Sequence, residues 1–127
     1  MLRVGQLMNQ ELVTVEAATT ISQAARLMNA RRIGSLLVRR QGDIVGIVTE
    51  PDIIRKGLAQ GLDVRSTPVG DIMSAPIVSI DERRPITEAA KLMQTHHTRH
   101  LGVCKGERLV GVVSVRDFLQ PVSTDTF

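Results

Sequence analysis

The chain has 127 residues, a formal charge of +3, 43% apolar and 23% charged side chains, a balance that fits an ordinary globular chain and excludes a disordered one. Aromatic residues make up 2%, Phe118 and Phe127 with no Trp or Tyr, which excludes the stacking of bases on aromatic platforms. Cys104 is the single cysteine, so an internal disulfide is excluded and a reducing compartment is expected.

In chain order, Val4-Gly5-Gln6-Leu7-Met8 forms an apolar entry segment. The β-branched run Val13-Thr14-Val15 predicts a short strand. Ile21, Ala24, Ala25 and Met28 recur at i, i+3, i+4 and i+7, which predicts an amphipathic helix whose alanines permit close approach of a neighbour. Two apolar runs follow, Leu36 to Arg39 and Ile44 to Thr49, and Gln41-Gly42-Asp43 between them predicts a tight hairpin. A second helix is predicted to start at Thr49, with Pro51 near its first turn, where a missing N–H costs little. Gly61 and Pro68 bracket a linker.

The series then repeats without a gap at an offset of 65 residues, which carries Val4 to Val69, Met8 to Met73 and Met28 to Met93. Ile86, Ala89, Ala90 and Met93 restate the helix; Val78-Ser79-Ile80, Leu101 to Cys104 and Leu109 to Ser114 restate the strands, and the second copy's second helix would begin at Ser114. The expected fold is α/β, with a first repeat over residues 1–62, a linker over 63–68, a second repeat over 69–122 and a tail over 123–127. A unit of about 60 residues buries little surface alone, so the copies are expected to pack face to face through their strands and Ala-rich helices.

Two heptads stand at matching places in this repeat, Gly46-Ile47-Val48-Thr49-Glu50-Pro51-Asp52 and Gly111-Val112-Val113-Ser114-Val115-Arg116-Asp117. With the entry segments ending in Met8 and Met73, and the helix patterns ending in Leu27-Met28 and Leu92-Met93, they resemble the cystathionine-beta-synthase (CBS) domain family over nearly the whole chain. The resemblance implies two βαββα repeats packed as one pseudo-twofold module with two clefts for adenosine compounds: AMP, ADP, ATP, NAD or S-adenosylmethionine. It implies that Asp52 and Asp117 accept from ribose hydroxyls and that Thr49 and Ser114 reach phosphate, a reasonable division between carboxylate and helix N-terminus. By the same analogy the first cleft comprises Ile47, Thr49, Pro51, Asp52, Ile77, Val78, Arg99 and His100. The second comprises Val112, Ser114, Arg116, Asp117, Leu12, Val13, Gly34 and Ser35. Arg99 and His100 can neutralise phosphate where Gly34 and Ser35 bring no charge, so tighter phosphate binding is expected at the Asp52 cleft, unless Arg116 supplies the cation of the second. Leu37 and Gly102 stand where many relatives carry Pro.

Each motif also has a plain structural reading. Thr49-x-x-Asp52 and Ser114-x-x-Asp117 match helix-capping motifs that need no ligand, and both roles are compatible. His96, His97 and His100 invite a metal reading, with His96 and His100 at helical spacing, but a helix end is expected before His100 and no ligand pattern completes a site. Met8, Met28, Met73 and Met93 fit core positions, and the doublets Arg31-Arg32, Arg39-Arg40 and Arg83-Arg84 fit solvated faces. No catalytic motif is present. The expected function is a regulatory module without catalysis, requiring no cofactor and taking an adenine nucleotide as regulatory ligand. It would form a homodimer and signal through an effector protein. The alternative is a ligand-free scaffold binding nucleic acid or an acidic protein through its basic faces, favoured by a pI near 9.8 and disfavoured by the missing aromatics. Met1 to Gln6 lacks the apolar run of a signal peptide, and no stretch approaches the roughly 18 apolar residues of a membrane span, so a cytoplasmic location is expected.

Overall fold

The computed structural model describes residues 1–119; positions 120–122 of the second repeat and the tail 123–127 lie outside them. The chain packs as two units, residues 13–77 and residues 1–12 with 78 onward. Each contains one three-stranded sheet.

In the unit of residues 13–77, β1 (Thr14–Glu16), β2 (Ser35–Arg40) and β3 (Asp43–Thr49) lie in that order. β1 runs parallel to β2, and β2 antiparallel to β3 through the predicted hairpin. Gln41 and Gly42 turn that hairpin with φ of 53° and 86°. The parallel pairing requires a crossover, supplied by α2 (Ile21–Arg31). Thr20 caps this helix, accepting the Gln23 N–H while the Gln23 side chain accepts the Thr20 N–H, and Arg32 ends it in the left-handed conformation. Ile21, Ala24 and Met28 are buried with Leu36, Val38, Val48 and Ile53.

The second sheet repeats this order with β4 (Ser79–Asp81), β5 (His100–Lys105) and β6 (Arg108–Ser114), crossed over by α4 (Ile86–His96). Its core gathers Ile80, Ala89, Met93, Leu101, Val103 and Val113. Ala24 and Ala89 are fully buried in the cores of their own units. Their small side chains let each helix lie close on its own sheet. Leu37 and Gly102 cannot be proline without loss, because their N–H groups donate to Val13 and Val78 carbonyls at 3.0 and 2.9 Å and proline has no N–H.

The entry segments join the other repeat's sheet. Val4–Leu7 forms a short helix, α1, whose Val4 and Gly5 N–H groups donate to Arg84 and Glu82 carbonyls; Val4 is fully buried in the core of the second sheet. The related residues Val69 and Gly70 donate to Thr19 and Ala17 carbonyls, and Val69 and Ile72 complete the core of the first sheet. Residues 63–68 are also tied down, since Ile21 and Ser22 N–H groups donate to Thr67 and Val64 carbonyls.

After Thr49 the chain turns into α3 (Glu50–Asp52) and then widens to a π-helix over Ile53–Leu58. The start of this helix was legible in the sequence; the wide winding was not. Among the described residues no helix is long and apolar enough to cross a membrane.

Candidate functional site

β3 delivers Thr49 to the end of its sheet, where the strand stops and α3 begins. The Thr49 hydroxyl accepts the Asp52 N–H at 3.3 Å, and Asp52 Oδ2 accepts the Thr49 N–H at 3.0 Å. This reciprocal box satisfies two orphan donors of the helix start. Both residues are only 8% exposed. The other carboxylate oxygen, Oδ1, lies 3.1 Å from Lys56 Nζ.

The related turn after β6 is built differently. Ser114 N–H and Ser114 Oγ both donate to Asp117 Oδ2, at 2.8 and 3.2 Å, so here the acid accepts twice. Ser114 and Asp117 are half-buried and Arg116 is exposed. Residues 115–119 are helical.

The neighbouring residues fall within the two units as follows. Beside Thr49, Ser35 is its register partner and the Glu50 N–H donates to the Gly34 carbonyl at 3.1 Å. Beside Ser114, His100 is its register partner and the Val115 N–H donates to the Arg99 carbonyl at 3.0 Å. Arg99 is exposed. Ile47 is buried and exchanges two backbone hydrogen bonds with Ser74, as Val112 does with Asn9. Val13 joins β2, and Val78 joins β5, through the bonds described above; Leu12, Pro51 and Ile77 are half-buried.

Lys56 and Ser74 were missed by sequence reasoning. The i, i+4 spacing from Asp52 to Lys56 was a usable signal; the contact of Lys56 Nζ with Ser74 Oγ, at 3.3 Å across 18 residues, was not.

Of the other motifs, α4 ends at His96, His97 adopts the left-handed conformation, and His100 opens β5, so the helical spacing of His96 and His100 is broken as expected. Among the described residues no three His, Cys, Asp or Glu side chains gather as a metal site would require. Met28 and Met93 are 5% exposed core residues, and Met8 and Met73 pack against the two cores. Arg83 and Arg84 are exposed and pair with Asp81 and Glu88. A shallow hollow of about 520 Å³ near Arg39, Arg40, Ser66 and Asp71 lies on other residues than Thr49 and Asp52.

Comparison with known proteins gives a consistent result. The family model described as the CBS domain matches residues 4–59 and 69–123. The CBS domain-containing protein YhcV of Bacillus subtilis is 36% identical over 110 residues, covering 87% of this chain and 78% of YhcV. A protein with CBS domains from Burkholderia ambifaria MC40-6, named for signal transduction, has a solved structure that superposes with a TM-score of 0.90 at 32% identity, covering 99% of this chain and 97% of that one. The hexameric CBS-CP12 protein from bloom-forming cyanobacteria superposes with a TM-score of 0.85 at 31% identity over 94% of this chain and 70% of that one.

Proposed function

Since the chain belongs to the CBS domain family, as a tandem pair of the kind that generally serves as a regulatory ligand-binding module, we propose that it binds an adenosine-type nucleotide and catalyses nothing. AMP, ADP and ATP are the first candidates, with NAD and S-adenosylmethionine behind them. Asp52 and Asp117 accept the ribose hydroxyls in this reading, and the Thr49 and Ser114 hydroxyls reach the phosphate. Within its own unit the Thr49–Asp52 turn has Ile47, Pro51, Gly34 and Ser35 as neighbours, and the Ser114–Asp117 turn has Val112, Arg116, Arg99 and His100.

The observation that carries the reading is the duplicated turn. Twice, 65 residues apart, an apolar strand ends in a hydroxyl whose own N–H is held by an acid three places on. A carboxylate so held keeps lone pairs for a vicinal diol, and the helix start beside it offers positive potential to phosphate.

The ligand acts by favouring one arrangement of the module over another, and an effector protein reads the difference. Homodimerisation belongs to the same proposal. Ile54 and Leu58, four residues apart on the π-helix, are 58% and 57% exposed, an apolar pair suited to a second copy. Cytoplasmic location is part of it too. Native mass spectrometry of the purified protein, followed by calorimetry with the five candidates, tests the reading; a bound adenosine compound supports it, and five null titrations refute it.

The scaffold alternative has one observation in its favour. Both turns satisfy their caps internally, as a purely structural motif would. Binding to nucleic acid that falls steeply with salt, without any response to nucleotides, would select it.

A further inference from the structure

Lys56 sits on the carboxylate that the proposed ribose contact needs. Its Nζ lies 3.1 Å from Asp52 Oδ1 and donates to Ser74 Oγ at 3.3 Å, while Asp52 Oδ2 holds the Thr49 N–H. Both oxygens of a carboxylate whose side chain is 10% exposed are engaged, whereas the Lys56 side chain is 48% exposed. The ammonium therefore stands on the solvent side of the acid. Ser74 is itself fixed, through two backbone hydrogen bonds to Ile47 at 3.0 and 2.8 Å, so the lysine is anchored at two points. An i, i+4 pair on an exposed helix contributes little; here the acid is buried and a third group helps to position the amine. Position 121, the repeat equivalent of Lys56, is Pro121, which carries no amine and lies outside the described residues.

A diol reaching Asp52 competes with the ammonium for Oδ1, the oxygen that Lys56 now covers. An uncharged nucleoside replaces an ion pair with neutral hydrogen bonds and leaves the displaced ammonium without its anion. A nucleotide brings a new anion, and the four-carbon stem of lysine lets the ammonium follow it. We propose that Lys56 is the specificity-determining residue of the Asp52 site: it occupies the acceptor in the absence of ligand and pairs with phosphate once displaced, so that the site takes phosphorylated nucleosides and rejects free ones. The proposal rests on the adenosine-nucleotide reading above.

The test measures affinities for AMP and for adenosine by calorimetry in an Asp117→Asn background, with Lys56 intact and with Lys56→Met. Asparagine keeps an acceptor oxygen for Ser114, and Lys56 is exposed enough for its replacement to leave the fold intact; Lys56→Gln serves as a second variant. With Lys56 present AMP binds at least tenfold tighter than adenosine. Its removal weakens AMP and tightens adenosine, so the ratio of the two affinities falls about tenfold, the scale of one charge-assisted contact. An unchanged ratio, or a loss of adenosine affinity, overturns the role of Lys56 while leaving Asp52 as the ribose acceptor. Failure of both probes to bind with Lys56 intact overturns the site reading, and the proposal with it.

Discussion

A Cβ on Gly46 would lie 2.7 Å from the Met73 sulfur and 2.8 Å from the Ser74 carbonyl oxygen. The same relationship recurs 65 residues on, where a Cβ on Gly111 would meet the Met8 sulfur at 2.6 Å and the Asn9 carbonyl at 3.0 Å. In each sheet a glycine in the last strand gives the entry methionine its seat. That seat aligns Ser74 beside Ile47, two residues before Thr49.

Gly46→Ala and Gly111→Ala should each destabilise the protein by about 1 to 3 kcal/mol, the usual cost of overfilling a packed site. Gly46→Ala should also weaken ligand binding, because the displaced segment carries Ser74. Urea denaturation checks the first effect; full stability in either variant would show that the methionine can yield freely.

The two capping turns should respond unequally to loss of the hydroxyl. Thr49→Ala removes a buried acceptor from the Asp52 N–H and should cost about 0.5 to 2 kcal/mol. Ser114→Ala removes a hydroxyl that donates to an acid still held by the Ser114 N–H, so its cost should be smaller. Thermal denaturation of the two variants compares them, and equal losses would contradict the difference in geometry.

Much of this was legible beforehand because it depends on local pattern. Ile21, Ala24 and Met28 announced α2, the hairpin at Gln41-Gly42 followed from its turn residues, and Thr49-x-x-Asp52 signalled a cap. Non-local pairing was not legible. Nothing in Val4 or Val69 says which sheet will receive them, although a glycine inside a strand is a known sign of close approach. The π-helix over Ile53–Leu58 and the Lys56–Ser74 contact depend on tertiary packing that no periodicity encodes.

Arg83 donates to Asp81 from its backbone N–H and its Nε, at 2.9 and 3.0 Å. The side-chain hydrogen bond first, then the backbone one, hold the Asp81 carboxyl below its ordinary pKa, and the Arg83 pKa is raised in turn. A folded-state value below the unfolded one means that the pairing stabilises the fold above the unfolded value, roughly 3.9, and that this is lost as pH falls through the folded value. NMR titration should show the Asp81 midpoint rising in Arg83→Ala; an unmoved midpoint would contradict the assignment.

The proposed homodimer should dissociate to monomer when Ile54 and Leu58 are together replaced by Asp, since two charges cannot be buried unpaired. Sedimentation velocity across a concentration series reads this directly. Identical sedimentation of the variant and the parent would exclude this face as the contact.

The most direct test of nucleotide binding at the Thr49–Asp52 turn is calorimetric titration of AMP into a parent carrying Asp117→Asn, which leaves only the Asp52 site intact, and into the same protein with Asp52→Asn, whose amide oxygen can still accept the Thr49 N–H. Removal of the charged acceptor should weaken binding about 10- to 150-fold, from a charge-assisted hydrogen bond of about 1.5 to 3 kcal/mol, while the melting temperature changes little. Parental affinity in a folded Asp52→Asn protein would contradict the account.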